Sequence, residues 1–332
     1  MKAPVVICKA KPRKLFANGS MWPVALVLLF LGLSAQAAEP PRVVVGIAPI
    51  HSLVAGVMAG VAEPRLLVRG NVSPHAYMLK PSQVRRLHRA DLVVWVGESV
   101  ESFLPRVLRN LSPTTQQIKL TDLPAMVLLS PREGGLWREQ GEGDHEHHAE
   151  HHEHGSVDGH LWLDPQNAKV IVAAVAARLS AIDAAHADQY QRNSHALLTR
   201  LEALDAQLKR RLDGVQRVPY LVFHDAYHYL EARYGLNAIG SITVNPGRKP
   251  GARRISEIRQ KIAASGARCI FSEPQFSASV TAVISDGFNV KTAVLDPMGA
   301  GLASGPELYF ELMRNLAASL VGCLGHEGVS GH

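Results

Sequence analysis

Residues 187–212 read ADQYQRNSHALLTRLEALDAQLKRRL, with Leu197, Leu201, Leu204, Leu208 and Leu212 recurring at steps of three and four. That spacing sets the five leucines on one face of an α-helix of about seven turns, at ~3.6 residues per turn. Helical character begins earlier, at Pro165, behind the start signal Asp164-Pro165. Outward from this stretch, in both directions, the chain changes period. Before it, VVVGI (43–47), RLLVR (65–69), LVVWV (92–96) and Gln116 to Leu120 alternate with helix-like segments, one of them opening at Pro81-Ser82. After it, YLVFH (220–224), NAIGSITV (237–244), CIFSE (269–273) and VKTAVL (290–295) do the same, ahead of a last helix from about Pro306 to Leu320. Short, nearly continuous apolar strands rich in β-branched residues, separated by helices, predict parallel sheets buried on both faces. The expected fold class is therefore α/β: two Rossmann-like lobes with parallel sheets joined by a long rigid helix. No repeat relates the two halves residue by residue.

The chain has 332 residues, room for two domains at ~100–200 residues each. Its 47% hydrophobic and 19% charged content excludes a disordered chain. Lys+Arg number 35 against 29 Asp+Glu, a balance that suggests nucleic acid or anionic lipid as a partner. Yet Lys2, Lys9, Lys11, Arg13 and Lys14 lie in residues 1–37, which hold no acid, and the rest of the chain is close to neutral. Those residues precede an apolar run from Val24 to Leu33, about ten residues and too short for a bilayer, followed by the small-x-small site Ala35-Gln36-Ala37. Residues 1–37 thus read as a secretory signal peptide, and the basic excess as part of an address rather than a nucleic-acid surface. Cys8 leaves with the signal, and no cysteine follows the apolar run to accept a lipid, so the expected product is soluble and periplasmic. Cys269 and Cys323 remain, an even pair that in an oxidising space is most simply a disulfide. The remaining boundaries read as 38–165 for the first lobe, 166–217 for the helical segment and 218–332 for the second lobe.

Histidine is the compositional outlier, with 16 residues. Three of them stand where loops leave strands or where the first half ends: His75 in GNVSPHAY, His160 in DGHLWLDP and His224 in FHDAY. The C-terminal edge of parallel strands is where ligands bind in such sheets. Asp296, in LDPMG after the strand TAVL, is a fourth candidate. Three neutral imidazoles and one carboxylate form a four-coordinate set suited to Zn²⁺, drawn from both halves and so spanning the cleft between them. His51 also follows a strand and is not excluded by position, and His228, four residues after His224, would share its helical face. Separately, EQGEGDHEHHAEHHEHGS (139–156) has no hydrophobic period, and reads as a solvated His/acid-rich loop. There His145, His147, His148, His151, His152 and His154 are interleaved with Glu142, Asp144, Glu146, Glu150 and Glu153, a flexible array expected to bind Zn²⁺ weakly and at several places.

These residues resemble the ZnuA-type, high-affinity zinc-binding proteins of bacterial ABC importers, from about Val43 to Gly325. The matching motifs, in order, are SPHAYMLKPSQVRRLHRADLVVWVG (73–97), the acidic His loop with HLWLDP (160–165), VFHDAYHYLEARYGL (222–236), TVNPGRKPGARRISEIR (243–259), FSEPQF (271–276), LDPMG (295–299) and Cys323. The resemblance implies the two-lobed fold of metal-binding periplasmic proteins, His75, His160 and His224 as zinc ligands, and a Cys269–Cys323 disulfide. It departs at Pro74, where some zinc members carry an acid, so no carboxylate comes from that side; the fourth position is left to Asp296, water or a loop histidine. His228 and Arg248-Lys249 also differ from relatives.

The function expected is capture of Zn²⁺, as transported ligand, and its delivery to an ABC-type membrane permease with its ATPase, by a monomer. No G-x-x-x-x-G-K-[ST] loop is present, so no direct ATP binding is expected. Ligation needs neutral imidazole, and affinity should weaken as pH falls through ~6. A manganese or iron carrier of the same cluster is the nearer alternative, favouring more carboxylates, and a metal-dependent adhesin a further one. A secreted zinc hydrolase is the alternative of another class. Against it, no H-E-x-x-H occurs, and no general base is evident near the triad.

Overall fold

The computed structural model describes residues 1–5, 11, 39–137, 157–243, 246 and 250–325. The chain divides into two units, 1–37 and 38–332, and the regular elements described all lie in the second. The apolar run and small-x-small site of the signal reading, Cys8, the six loop histidines, Arg248 and Lys249 fall outside the described residues. Among the described residues no helix is long and apolar enough to cross a membrane.

The first lobe runs β1 (Val43–Ile47), α1 (Ala48–Val57), β2 (Arg65–Val68), α2 (Pro81–His88), β3 (Leu92–Trp95), α3 (Pro105–Leu108) and β4 (Gln116–Lys119). Two long helices follow, α4 (Pro165–Ile182) and α5 (Ala187–Leu212). The second lobe is β5 (Tyr220–His224), α6 (His228–Tyr234), β6 (Ala238–Thr243), α7 (Ala252–Ser265), β7 (Cys269–Ser272), α8 (Ser279–Ser285) and β8 (Lys291–Val294), and α9 (Leu308–Leu324) closes the chain. Both sheets are wholly parallel, in the orders β2-β1-β3-β4 and β6-β5-β7-β8. The two lobes therefore share one topology although no residue repeat announces it. All eight strands fall within a residue or two of the stretches read from the sequence.

The helical half of the expectation needs one refinement. Asp164 caps α4 by accepting from the Gln166 N–H at 2.8 Å, and the run then breaks at Asp183 before α5 begins. The five leucines of α5 are all buried, against α4, α1 and α9. Gly56 of α1 allows a close approach to α5: a Cβ there would sit 2.8 Å from Leu197 Cδ1. One apolar core runs from the first sheet through α4, α5 and α9 to Tyr220, Val222, Cys269 and Phe271 on one face of the second sheet. The alternate residues Leu221, Phe223 and Ile270 point the other way, into a smaller core with Ile258 and Ile262 of α7. The Cys269–Cys323 disulfide, with Cα atoms 6.2 Å apart, ties the start of β7 to the end of α9.

The lobes are also stitched by a strap. Residues 132–137, which the sequence reading places in the first lobe, lie along the free edge of β6. Ser241 N–H donates to the Gly135 carbonyl at 2.7 Å, and Trp137 N–H donates to that of Ile239 at 3.1 Å. Arg132 stacks over Trp137, 3.5 Å from its centroid, and its guanidinium ion-pairs with Asp225 and Glu231. An unpaired strand edge attracts such a partner, which is why this segment crosses over.

Gly46 in β1 has no room for a side chain because the Glu101 carboxyl fills that space: a Cβ would lie 1.5 Å from Oε1. Glu101 is wholly buried, with Oε2 accepting from the Val96 N–H at 2.6 Å and Oε1 unpartnered. Burial outweighs the N–H groups of Val96 and Gly97 and pushes its pKa up to about 8. The folded state then holds a proton that the unfolded state, with an ordinary value of 4.5, releases. The resulting stability is complete below about pH 4.5 and is lost as pH rises towards about 8. Glu101→Gln is expected to flatten that slope in urea unfolding measured across this range, and parallel pH profiles for the two proteins would refute the account.

Candidate metal centre

His75 reaches the cleft from a loop that is pinned at its base. Gln83 of α2 donates to the Leu67 carbonyl at 2.7 Å and accepts from the Lys80 N–H at 2.9 Å, while Tyr77 OH and the Gln83 amide bond each other. These bonds fix SPHAYMLKPSQ against the end of β2. Pro74 opens a single tight turn, Pro74–Ala76, which carries the imidazole. Behind it the backbone of Ser99, in the loop after β3, forms a hydrogen bond with the ring. Gly159 packs on that same loop, a Cβ at 159 falling 2.5 Å from Ser99 Oγ.

His160 precedes the tight turn Leu161–Leu163. Asp158 Oδ1 accepts from both its backbone N–H (3.0 Å) and its Nδ1 (2.7 Å). His224 ends β5, and its Nδ1 donates to Oε1 of Glu273 at 2.7 Å. Glu273 follows β7, the neighbour of β5, so parallel pairing brings the acid and the imidazole to the same edge of the sheet.

With Nδ1 of His160 and His224 engaged behind, both rings present Nε2 forwards, towards Nε2 of His75. The His75 and His160 Nε2 atoms are 3.3 Å apart, those of His160 and His224 3.4 Å, and the three ligand atoms lie within 4.8 Å of one another. A tetrahedral zinc with Zn–N of ~2.0–2.1 Å demands nitrogens roughly 3.3–3.4 Å apart, the spacing His160 keeps from both of the other rings. The cavity it borders measures about 10 Å³, space for an ion or one water and far too small for a peptide or an ester.

The electrostatics point the same way. Burial, together with the neighbouring His160 and His224 rings, pushes His75 down to about 3, leaving a neutral imidazole with a free lone pair. Burial opposes charge on His160 too, but the Asp158 carboxylate outweighs it and His160 is raised. Asp158 in turn is held well below the usual carboxylate range, its burial outweighed by His160 and then His228. Asp158 therefore favours positive charge at His160, where proton and cation compete.

His75, His160 and His224 are brought together; the other candidates are not. His51 is buried in α1, its Nε2 3.0 Å from the Pro64 carbonyl. His228 faces Asp158 Oδ2 at 3.7 Å rather than the cavity. Asp296 stays outside the cluster. Its carboxylate accepts from the N–H groups of Met298 (3.0 Å), Gly299 (3.0 Å) and Ala300 (2.5 Å) and from Gln275 Nε2 (2.9 Å). Two acids that the sequence reading did not single out, Asp158 and Glu273, stand behind the triad. Each is taken up by a histidine Nδ1, the arrangement that orients metal-bound imidazoles. The D-x-H spacing at 158–160, and an acid directly after the strand beside β5, were the available signals.

The family described as "Zinc-uptake complex component A periplasmic" (ZnuA) matches residues 43–323. The high-affinity zinc uptake system protein ZnuA of Brucella abortus (strain 2308) is 43% identical over 313 residues, covering 88% of this chain and 94% of its own. Its counterpart in Yersinia pestis is 36% identical over 289 residues, covering 85% and 91%. A solved crystal structure of ZnuA superposes with a TM-score of 0.72 at 22% identity, over 86% of this chain and 100% of that one, a likeness of fold.

Removing the acids that orient the rings should weaken metal binding without ending it. Asp158→Ala and Glu273→Ala are each expected to lower Zn²⁺ affinity by ~10–100-fold. Competition against a fluorescent chelator measures this, and wild-type affinity in both variants would show that the two carboxylates are incidental.

Proposed function

The chain belongs to the family of periplasmic zinc-uptake components, and from that premise we propose that His75, His160 and His224 are the residues that hold its zinc. The protein is a zinc-binding component of an ABC uptake system and not an enzyme. The observation that carries the residue assignment is the spacing of Nε2 of His160 from those of His75 and His224, 3.3 and 3.4 Å, the distance a tetrahedral Zn²⁺ requires, with all three ligand atoms within 4.8 Å of one another. Asp296 is not included in the set, because four donors already occupy its carboxylate.

In the proposed cycle Zn²⁺ enters the cleft, where the Asp158 carboxylate favours positive charge at His160. The ion is bound by one ring from the loop after β2, one from the turn that leads into α4 and one from the end of β5. It thereby joins both lobes. The loaded protein, acting as a monomer without binding ATP, docks on the membrane permease whose ATPase partner drives uptake. Residues 1–37 serve as the secretory signal, a reading supported by their basic-then-apolar order and by the division of the chain after Ala37. The apolar run is followed by no cysteine near its end, which supports a soluble carrier. The lobes are 38–165 and 218–332 about the helical segment 166–217, and the 132–137 strap fastens the first to the second. The histidines of 145–154 bind zinc weakly and at several places.

His75→Ala, His160→Ala and His224→Ala should each abolish the tight site, a larger loss than the ~10–100-fold expected of an outer partner. Calorimetric titration with a competing chelator reads this out; tight affinity retained in all three variants would sink the assignment. Deletion of 142–156 should remove only the weak sites in the same titration. Loss of the tight one would mean that the loop supplies a ligand.

A further inference from the structure

One side chain at the cleft belongs to neither the triad nor its supporting acids. Gln275 lies two residues beyond Glu273, and its amide nitrogen makes two hydrogen bonds to different lobes. It donates to the Gly70 carbonyl of the first lobe at 2.7 Å and to Asp296 Oδ1 of the second at 2.9 Å. The contact it bridges is tight: a Cβ at Gly70 would fall 2.6 Å from the carbonyl oxygens of both Gly299 and Met298. Gly70 belongs to the loop that leads into His75, and Met298 and Gln275 border the metal cavity. Gln275 therefore acts on two things at once. It fastens the His75 loop to the Asp296 loop, and it is the only side chain among the four donors that occupy the Asp296 carboxylate; the other three are backbone N–H groups.

The chemistry gives this bridge a use. Three imidazoles with one open position favour Zn²⁺, whereas an added carboxylate moves a site towards the harder ions, Mn²⁺ among them. Asp296 is the acid of the loop that supplies Pro297 and Met298 to the cavity wall. Resting on the zinc-site reading above, we propose that Gln275 is a selectivity-determining positioning residue, which withholds Asp296 from the ion by engaging it in a bridge to Gly70 of the opposite lobe. Asp296 is then a structural acceptor while Gln275 is present, and a carboxylate within the metal's choice when it is not.

Gln275→Met keeps the length of the side chain and removes both donors. Gln275→Leu removes them as well, with a branched apolar side chain. Apo protein of each is first checked against wild type by thermal unfolding, so that either variant can carry the test if the other does not fold. Zn²⁺ and Mn²⁺ affinities are then measured by chelator competition, and Co²⁺ is added as a spectroscopic probe of coordination number. The expected result is a fall of about tenfold or more in the Zn²⁺:Mn²⁺ affinity ratio, with a weaker Co²⁺ visible band as the site leaves four-coordination. Adding Asp296→Ala to Gln275→Met should restore both readings. An unchanged ratio overturns the proposal, and so does a fall that persists in the double variant. Wild-type protein with no tight Zn²⁺ site would instead overturn the zinc-site reading, and this proposal with it, so the two failures are told apart.

Discussion

Nε2 of His160 lies 3.3 Å from that of His75 and 3.4 Å from that of His224, a spacing at which facing lone pairs repel and a cation or a proton between them relieves the repulsion. The rest of the architecture can be read as the means of imposing that arrangement. Each ring is held from behind: His160 by Asp158, His224 by Glu273, His75 by the backbone of Ser99. Each of those holders is in turn fixed by something larger. Glu273 is placed by the pairing of β7 with β5, Asp158 by a Tyr229 hydroxyl that donates to its carbonyl at 2.7 Å, and Ser99 by the loop folded over Gly159. A site whose apo form is electrostatically uncomfortable needs a stiff frame, and a continuous core running through both lobes provides one.

The shared strand order of the two sheets explains why this frame presents a cleft at all. In each lobe the order reverses beside the first strand, and ligands of open parallel sheets gather at that reversal, outside the carboxyl ends of the strands. In the second lobe the rule is obeyed directly: His224 ends β5 and Glu273 follows β7, the strands on either side of the reversal. In the first lobe it is obeyed indirectly. His75 comes from the loop after β2, but the loop after β3 supplies the backbone that supports it.

The strands and the long helices were legible because each carries a strong local period. The leucine row of 197–212 and the apolar runs of the eight strands depend on neighbours within a few residues. The three histidines were legible from topology, since a residue that ends a strand has a known edge to occupy. What sequence could not disclose was anything decided by contacts between distant segments. Asp296 looked like a ligand because its position after β8 is right; its carboxylate is instead occupied by three backbone N–H groups and Gln275. Glu273 went unnoticed as a partner because it lies 49 residues from His224 and meets it only through strand pairing. The strap at 132–137 carries no strand-like pattern of its own, being shaped by the β6 edge it lies on.

That strap alters what counts as a lobe. The segment leading into residue 138 is attached to the second sheet by backbone bonds and by an arginine clamp, while the segment resuming at 157 returns to the first half. Cleavage of the peptide chain anywhere in 138–156 would therefore not release two separable bodies. The piece ending there would stay on as a non-covalent complement, docked through Arg132, Trp137 and the shared core. New chain termini placed in this stretch by circular permutation would be tolerated for the same reason, whereas cutting the chain at its helical middle to isolate either half would expose one side of the common core to water.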